Sequence, residues 1–462
     1  MNNFWDSSVW GFMNLLAVLL ASLLVGNMLK KYVPGLKKLL IPTSVLGGGI
    51  LIVVEAIYEA VSGKNMFDSA FFGGNGTQML EIITYHTLAL GFIASALKKS
   101  GSKMNKKRTV EIFDTGVTTV STYLLQAVLG FGISMIAARV VSGFFEAAGV
   151  LLPFGYGQGT GQALNYGNIY ETEYGFKNGR VFGLTIAALG FLSASIGGVI
   201  HLNILRKKGK IGQSAKQGQT LNLEQIQSEN EIPMQESIDK MTVQIALIAV
   251  AYMLAYTMMV LLGKLLPGMK SVIYGFNFLL GVIAATLVKT VLNFLNRKKI
   301  VRRTHTNDFL LTRVSNLFYD IMVVAGVAAI RLSALEAYWG IILIMGVLGM
   351  AATYAYNRVV ARKLFPEYAE EQFLAMYGML TGTASTGVIL LREIDGDFKT
   401  PAADNMVYQT LPAIVFGFPM MLLATLAPQK PTLTMVILVL FFIAMNILLF
   451  RSKIFRFKKD KK

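Results

Sequence analysis

The sequence predicts an all-α integral membrane protein built from two inverted-topology five-span repeats with two re-entrant hairpins, plus one extra C-terminal transmembrane helix. Three observations carry this. Of the 462 residues, 54% are hydrophobic and 15% charged, whereas a soluble domain carries about 25% charged residues. Apolar runs of spanning length alternate with clusters of Lys and Arg. Two runs rich in Gly and Thr interrupt the apolar chain, one in each half. The first is Gly155-Tyr156-Gly157-Gln158-Gly159-Thr160-Gly161, and the second is Thr381-Gly382-Thr383-Ala384-Ser385-Thr386-Gly387.

A helix that crosses a bilayer needs about 20 apolar residues. On that length the first half supplies spans at 9–30, 43–62, 78–97, 110–138 and 180–204. The second half supplies 241–263, 271–294, 308–331, 337–357 and 404–426, and an eleventh span follows at 432–450. The first run lacks the basic segment before it and the small-residue cleavage site after it that a signal peptide needs, so it is read as a spanning helix. The glycine-threonine runs sit in weaker stretches near 150–169 and 372–391. The segment 205–240, rich in Gln, Ser, Asn, Lys and Glu, reads as a polar cytoplasmic linker. The expected organisation is therefore an N-terminal repeat over 1–204, the linker over 205–240, an inverted repeat over 241–426, and the extra helix with a basic tail over 427–462.

Basic residues mark cytoplasmic loops. The clusters are Lys30 to Lys38, Lys98 to Arg108, Arg206 to Lys210, Arg297 to Arg303, Arg358 to Lys363 and the tail from Arg451 to Lys462. A single alternating path puts all six inside, with the N-terminus outside and the C-terminus in the cytoplasm. The first glycine-threonine segment then enters from outside and the second from inside, which is the arrangement of an inverted repeat with its binding site between the halves. A short sequence echo accompanies it: Gly159-Thr160 precedes Glu171 and Phe176-Lys177, and Gly382-Thr383 precedes Glu393 and Phe398-Lys399.

The net charge of +17 follows from these loop clusters, which can touch anionic lipid headgroups, and does not indicate nucleic acid. The chain has no cysteine, and His86, His201 and His305 are scattered, so no transition-metal site, disulfide or thiol nucleophile is expected. His86 lies in mid-span and reads as a hydrogen-bonded core residue. Glu111 and Asp114 open the fourth span, where a helix N-terminus favours acids. No His-Glu-x-x-His motif and no paired intramembrane acids appear, so an enzyme is not expected, and no cofactor is called for. A channel filter is usually one loop repeated about an axis; two unlike loops from opposite faces favour alternating access.

Irregular backbone survives at membrane depth only where protein or a watery cavity covers it. Its unpaired N–H groups and half-helix dipoles suit a carboxylate stripped of water, and glycine lets the backbone approach. The candidate solute-binding residues are Gln158, Gly159, Thr160, Gly161, Gly382, Thr383, Ser385, Thr386 and Arg392. Sodium is a hard cation that takes oxygen ligands, and Asn165, Thr381, Asp320 and Gln126 are the candidates for it. Asp320 stands mid-span, where a charge is expensive. It shares a helical face with Arg313 and Asn316, so a structural pair, a cation site and a proton-coupling site are all open for it.

At these residues the chain resembles the bacterial sodium/glutamate symporter family. Gly157-Gln158-Gly159-Thr160-Gly161, then Tyr174-Gly175-Phe176 and Gly197-Gly198, follow the family's first re-entrant region in order and spacing, with Gln158 where the family has His. Ile41-Pro42 with Gly47-Gly48 is similar to the start of its second span, and Gln126 falls where it has Gln. In the second loop Gly382 and Thr386 fit, but Met379-Leu380-Thr381 replaces a richer glycine spacing. The resemblance runs from about residue 9 to 426. It implies an inner-membrane homodimer that imports glutamate with sodium by sliding a transport unit against a dimerisation unit. The departure in the second loop leaves another carboxylate, such as a hydroxy-acid or dicarboxylate, as the alternative solute.

Overall fold

The computed structural model describes residues 3–98, 106–209, 231, 238–267, 270–300, 303–333, 338–395 and 399–451. Most of the predicted linker, the tail beyond Arg451 and the Phe398 of the sequence echo lie outside the described residues, as do the side chains of 37–39, 271–272, 385 and 411. In chain order the helices are α1 Ser7–Tyr32, α2 Pro34–Leu39, α3 Thr43–Ser62, α4 Gly76–Leu97, α5 Lys106–Val140, α6 Leu151–Tyr174 and α7 Gly179–Lys207. After the linker come α8 Lys240–Leu265, α9 Lys270–Gly275, α10 Asn277–Arg297, α11 Asp308–Ala328, α12 Trp339–Leu364, α13 Ala369–Thr381, α14 Ala384–Arg392, α15 Ala402–Tyr408, α16 Thr410–Leu426 and α17 Pro431–Leu449.

Ten of the described helices are long and apolar enough to cross a membrane. An eleventh span exists if Ala402–Tyr408 and Pro412–Leu426, bent by 52°, count as one. The sequence placed one straight helix over 404–426. Pro412 gives the reason for the bend, since its ring disfavours helix at the residue before it and removes a backbone donor. The span expected at 271–294 likewise begins later, at Asn277, after the short helix α9.

The chain divides into two units, 1–26, 46–103 and 217–329 in the first, and 27–45, 104–216 and 330–462 in the second. Each draws on both halves of the chain. The first unit packs α4, α8, α10 and α11 around Ile93, Leu97, Ile248, Ala285, Leu311 and Val314. Small residues let these helices close up: Gly91 lies against Tyr319, Gly281 against Ile93, and Gly48 against Val327. Ser95 and Ser315 share a hydrogen bond of 2.8 Å. His86 Nδ1 lies 2.6 Å from Tyr252 Oη, the hydrogen bond expected of it, but the side chain is exposed and not part of the core. Glu231 is held at the start of α8 by Lys240 Nζ at 2.9 Å.

The second unit contains both glycine-threonine segments, each preceded by a long helix, α5 before the first and α12 before the second. α5 is rich in threonine, yet Thr115, Thr118, Thr119 and Thr122 are all buried. Their hydroxyls bond back to the carbonyls of Glu111, Asp114, Thr115 and Thr118, one turn earlier. This satisfies the hydroxyl protons locally and leaves oxygen lone pairs for neighbouring helices. The added C-terminal helix α17 joins this unit: Tyr356 donates to Asn446 Oδ1 at 2.8 Å, and Arg451 pairs with Asp114 at 2.6 Å.

Candidate functional site

Gly159 breaks α6 with φ 77° and ψ −171°, a conformation open to glycine and costly for any residue with a Cβ. The chain folds back there. Phe154 and Tyr166 stack with ring centroids 3.8 Å apart, although twelve residues of unbroken helix would separate them by about 18 Å. At the base of the same hairpin Phe145 stacks on Phe176 at 4.7 Å. The first arm therefore ends at Gln158 and the second begins at Thr160. The second glycine-threonine run makes a similar hairpin from α13 and α14, turning through Gly382 and Thr383. Gly378 and Gly387 face each other across its arms, so closely that a Cβ on Gly378 would lie 2.7 Å from the Gly387 Cα.

One turn of α5 holds both tips. Tyr123 donates from its hydroxyl to the Gly157 carbonyl at 3.0 Å. Gln126 donates through Nε2 to the Leu380 carbonyl at 2.8 Å. These carbonyls end the two first arms, where a helix leaves acceptors without partners of its own. The hairpins reach this turn from opposite ends of α5. Along the first, Gly149 lies at Gly130 and Gly157 at Tyr123. Along the second, Gln372 bonds Thr115 and Leu380 bonds Gln126. Ser193 of α7 also meets both, through Tyr156 Oη at 2.9 Å and, on its carbonyl, Tyr377 Oη at 2.8 Å.

The second arms both start at the tips, so their N-terminal N–H groups and positive dipole ends gather there. Thr383, at the N-cap of α14, makes no side-chain cap bond to that helix. Polar side chains stand beside them with bonding capacity unspent: Gln158 Nε2, and both Nε2 and Oε1 of Gln162, are buried without a hydrogen-bond partner among the described residues. Gln162 is 2% exposed. Side-chain amides with unspent bonding capacity and the positive ends of two half-helices can bind a small anion.

The structure brings most of the predicted residues to this place. Gln158, Gly159, Thr160 and Gly161 form the first tip. Thr381, Gly382, Thr383 and Thr386 form the second, where Thr383 Oγ1 lies 3.4 Å from Thr386 Oγ1 and Thr381 Oγ1 donates to the Tyr377 carbonyl at 2.6 Å. Asn165 is buried on the second arm, one turn beyond Gly161. Ser385 lies in α14, but its side chain is outside the described residues. Arg392 closes α14 at the far end from the tip, about 12 Å along the helix by its rise per residue. Asp320 is on α11 in the first unit, where Arg313 stacks over Phe309 at 5.0 Å. Sequence reasoning missed Gln162, Tyr123, Tyr156, Tyr377 and Ser193. Gln162 had a legible signal, a second amide in the same glycine run as Gln158. The others act through partners remote in sequence.

Tyr123→Phe tests the anchoring of the first tip. It removes one hydroxyl and keeps the ring that packs on Gly157. The expected loss is about 1 kcal/mol, read as a lowered melting temperature of the purified protein, together with weaker solute binding. Unchanged melting and binding would show that the tip does not depend on this bond.

Among the described residues no group of three or more His, Asp or Glu could hold a metal ion. Residues 11–375 match the protein family described as the sodium/glutamate symporter. The matched region ends in α13, before the second tip. No curated protein matches the chain.

Proposed function

We propose, because this chain belongs to the sodium/glutamate symporter family, that it couples the inward flow of sodium to import of glutamate or a related acidic solute bound between the two hairpin tips. The observation that carries the site is the meeting of both tips on one turn of α5. Arms that run along α5 from opposite ends support hairpins that enter the membrane from opposite faces. This favours inverted five-span repeats, joined by the linker and followed by α17 as an added helix. A site made where two half-helices begin can open to either side by small movements, as alternating access requires. That both hairpins fall in one unit supports an elevator in which this unit carries the solute.

In the bound state the first-turn N–H groups at Thr160 and Ala384 and the amides of Gln158 and Gln162 replace the water around a carboxylate. The hydroxyls of Thr160, Thr383, Ser385 and Thr386 complete the shell, with sodium drawing on oxygens near the tips. Arg392 and Asp320 join the reading in other roles, Arg392 as a cytoplasmic-side contact for the anion and Asp320 as a cation or proton site. The family also supports a bacterial inner-membrane homodimer with its N-terminus outside and C-terminus inside, its basic loops against anionic lipid. This is transport and not catalysis. The second reading, another carboxylate as solute, is favoured by the second tip, which departs from the family spacing at Met379-Leu380-Thr381 and lies beyond the matched residues.

Uptake of radiolabelled L-glutamate into proteoliposomes tests this, with an inward sodium gradient against equal choline and with aspartate, malate and citrate as competitors. Sodium-driven accumulation competed by glutamate is the expected result. Competition by malate or citrate alone would move the assignment to the other carboxylates, and no sodium-driven accumulation of any of them would refute it. Gln162→Leu removes an amide that bonds to nothing in the protein, so folding is expected to persist. The KM for the solute should rise about tenfold or more, equivalent to about 1.4 kcal/mol of lost binding.

A further inference from the structure

Thr122-Tyr123-Leu124-Leu125-Gln126 on α5 and Thr353-Tyr354-Ala355-Tyr356-Asn357 on α12 share the pattern Thr-Tyr-x-x-amide. The two segments cross antiparallel and bond reciprocally. Gln126 Nε2 donates to Thr353 Oγ1 at 3.0 Å, and Asn357 Nδ2 donates to Thr122 Oγ1 at 3.4 Å. Each amide nitrogen also donates to a backbone carbonyl, Gln126 to Leu380 at 2.8 Å and Asn357 to Thr353 at 3.0 Å. A carbonyl can only accept, so both amides are fixed in orientation. Their oxygens, Gln126 Oε1 and Asn357 Oδ1, are left buried with no donor among the described residues. All four side chains are at most 1% exposed.

A buried acceptor without a donor is costly. Two of them, at matching positions of a reciprocal pair, are oxygens that ask for positive charge. Hydroxyl oxygens lie beside them: Thr122 spends its proton on the Thr118 carbonyl at 2.8 Å, so its lone pairs face Asn357. The set is all oxygen and contains no carboxylate. Such neutral donors suit a hard monovalent cation, whereas Ca²⁺ and Mg²⁺ sites draw on carboxylates.

We propose that the crossing of α5 and α12 is a sodium site, liganded by Gln126 Oε1, Asn357 Oδ1 and the hydroxyls of Thr122 and Thr353. The proposal rests on the sodium-coupled reading above and adds its location and its link to the solute. Gln126 holds the second tip through the Leu380 carbonyl with the same amide whose oxygen takes the cation. Sodium bound there stiffens the amide, and with it the tip where the solute sits. By linkage, each ligand then raises affinity for the other.

The test is thermal melting of the purified full-length protein in nanodiscs, titrated with NaCl against choline chloride at constant ionic strength, with no solute present. A ligand of the native state raises the melting temperature saturably. The wild type is expected to show this. Asn357→Leu should move the sodium midpoint up by about tenfold or more, and Asn357→Asp, which keeps the shape and adds a charge, should move it down. Wild-type midpoints in both variants would mean that water fills the cluster, overturning this site while leaving sodium symport intact. If Asn357→Leu does not fold, Asn357→Asp decides alone, an unchanged midpoint overturning the site. A wild type that neither responds to sodium here nor accumulates solute under a sodium gradient would overturn the symport reading as well.

Discussion

Gly149→Val is expected to leave no folded transporter in the membrane. Gly149, just before α6, and Gly130 on α5 meet backbone to backbone. A Cβ on Gly149 would lie 1.7 Å from the Gly130 carbonyl oxygen and 2.1 Å from its carbon. No rotamer relieves this, because the atoms in the way are main chain. Overpacking with flexible neighbours costs about 1–3 kcal/mol, and a rigid backbone obstacle raises that figure against a net stability of about 5–15 kcal/mol. The first arm would have to leave α5, losing the Tyr123 bond to Gly157 and with it the position of the first tip. Gly149→Ala should show an intermediate defect. Gly340→Ala is the control, since nothing among the described residues lies within 4 Å of its Cβ position and alanine favours helix. Membrane-inserted yield and melting temperature read the result, and normal folding of Gly149→Val would show that α5 and the arm can separate without harm.

Glu231→Ala is expected to destabilise the first unit by about 3–5 kcal/mol. Lys240 Nζ and Glu231 Oε2 are 2.9 Å apart with both side chains at most 2% exposed. Asn307 Nδ2 donates to the same carboxylate oxygen at 2.7 Å, and Gln244 joins the cluster through the backbone of His305 and Asn307. Without Glu231 an ammonium stays buried opposite nothing, and desolvating a lone charge is the costly step. The double replacement Glu231→Leu with Lys240→Met removes both charges and should recover most of the loss, because a buried pair exchanged for apolar groups is often neutral. Melting of the single and double variants gives the coupling. Equal losses in both would mean that the pair contributes shape and not charge.

The spans were legible because each is a local property. The run 43–62 becomes α3 over the same residues, and 110–138 lies within α5. Gly159 and Gly382 were legible as breaks because glycine and threonine run together in matching places of the two halves, whereas Gly47-Gly48-Gly49 stays helical in α3, where Gly47 and Gly48 serve packing. The bend before α16 was less so, although Pro412 marked it. What the tips rest on was not legible. Gln126 and Leu380 are 254 residues apart, and Thr353 and Gln126 are 227 apart, so no window of sequence contains either pair. Gln126 was a sodium candidate from the sequence, but Asn357 looks like any buried Asn until its donor bonds are known to be spent and its oxygen left over.

Composition and periodicity along the sequence establish that this chain is a multi-pass membrane protein and place most of its spans and its two glycine-threonine breaks, because lipid rejects charge and unpaired backbone over lengths of about 20 residues. Only the tertiary structure shows that the tips of the two hairpins share one turn of α5. It also decided that a Thr-Tyr-x-x-amide segment on each long helix answers the other. Those facts depend on which carbonyl meets which donor across hundreds of residues, and hydrogen bonds of that kind are chosen by packing.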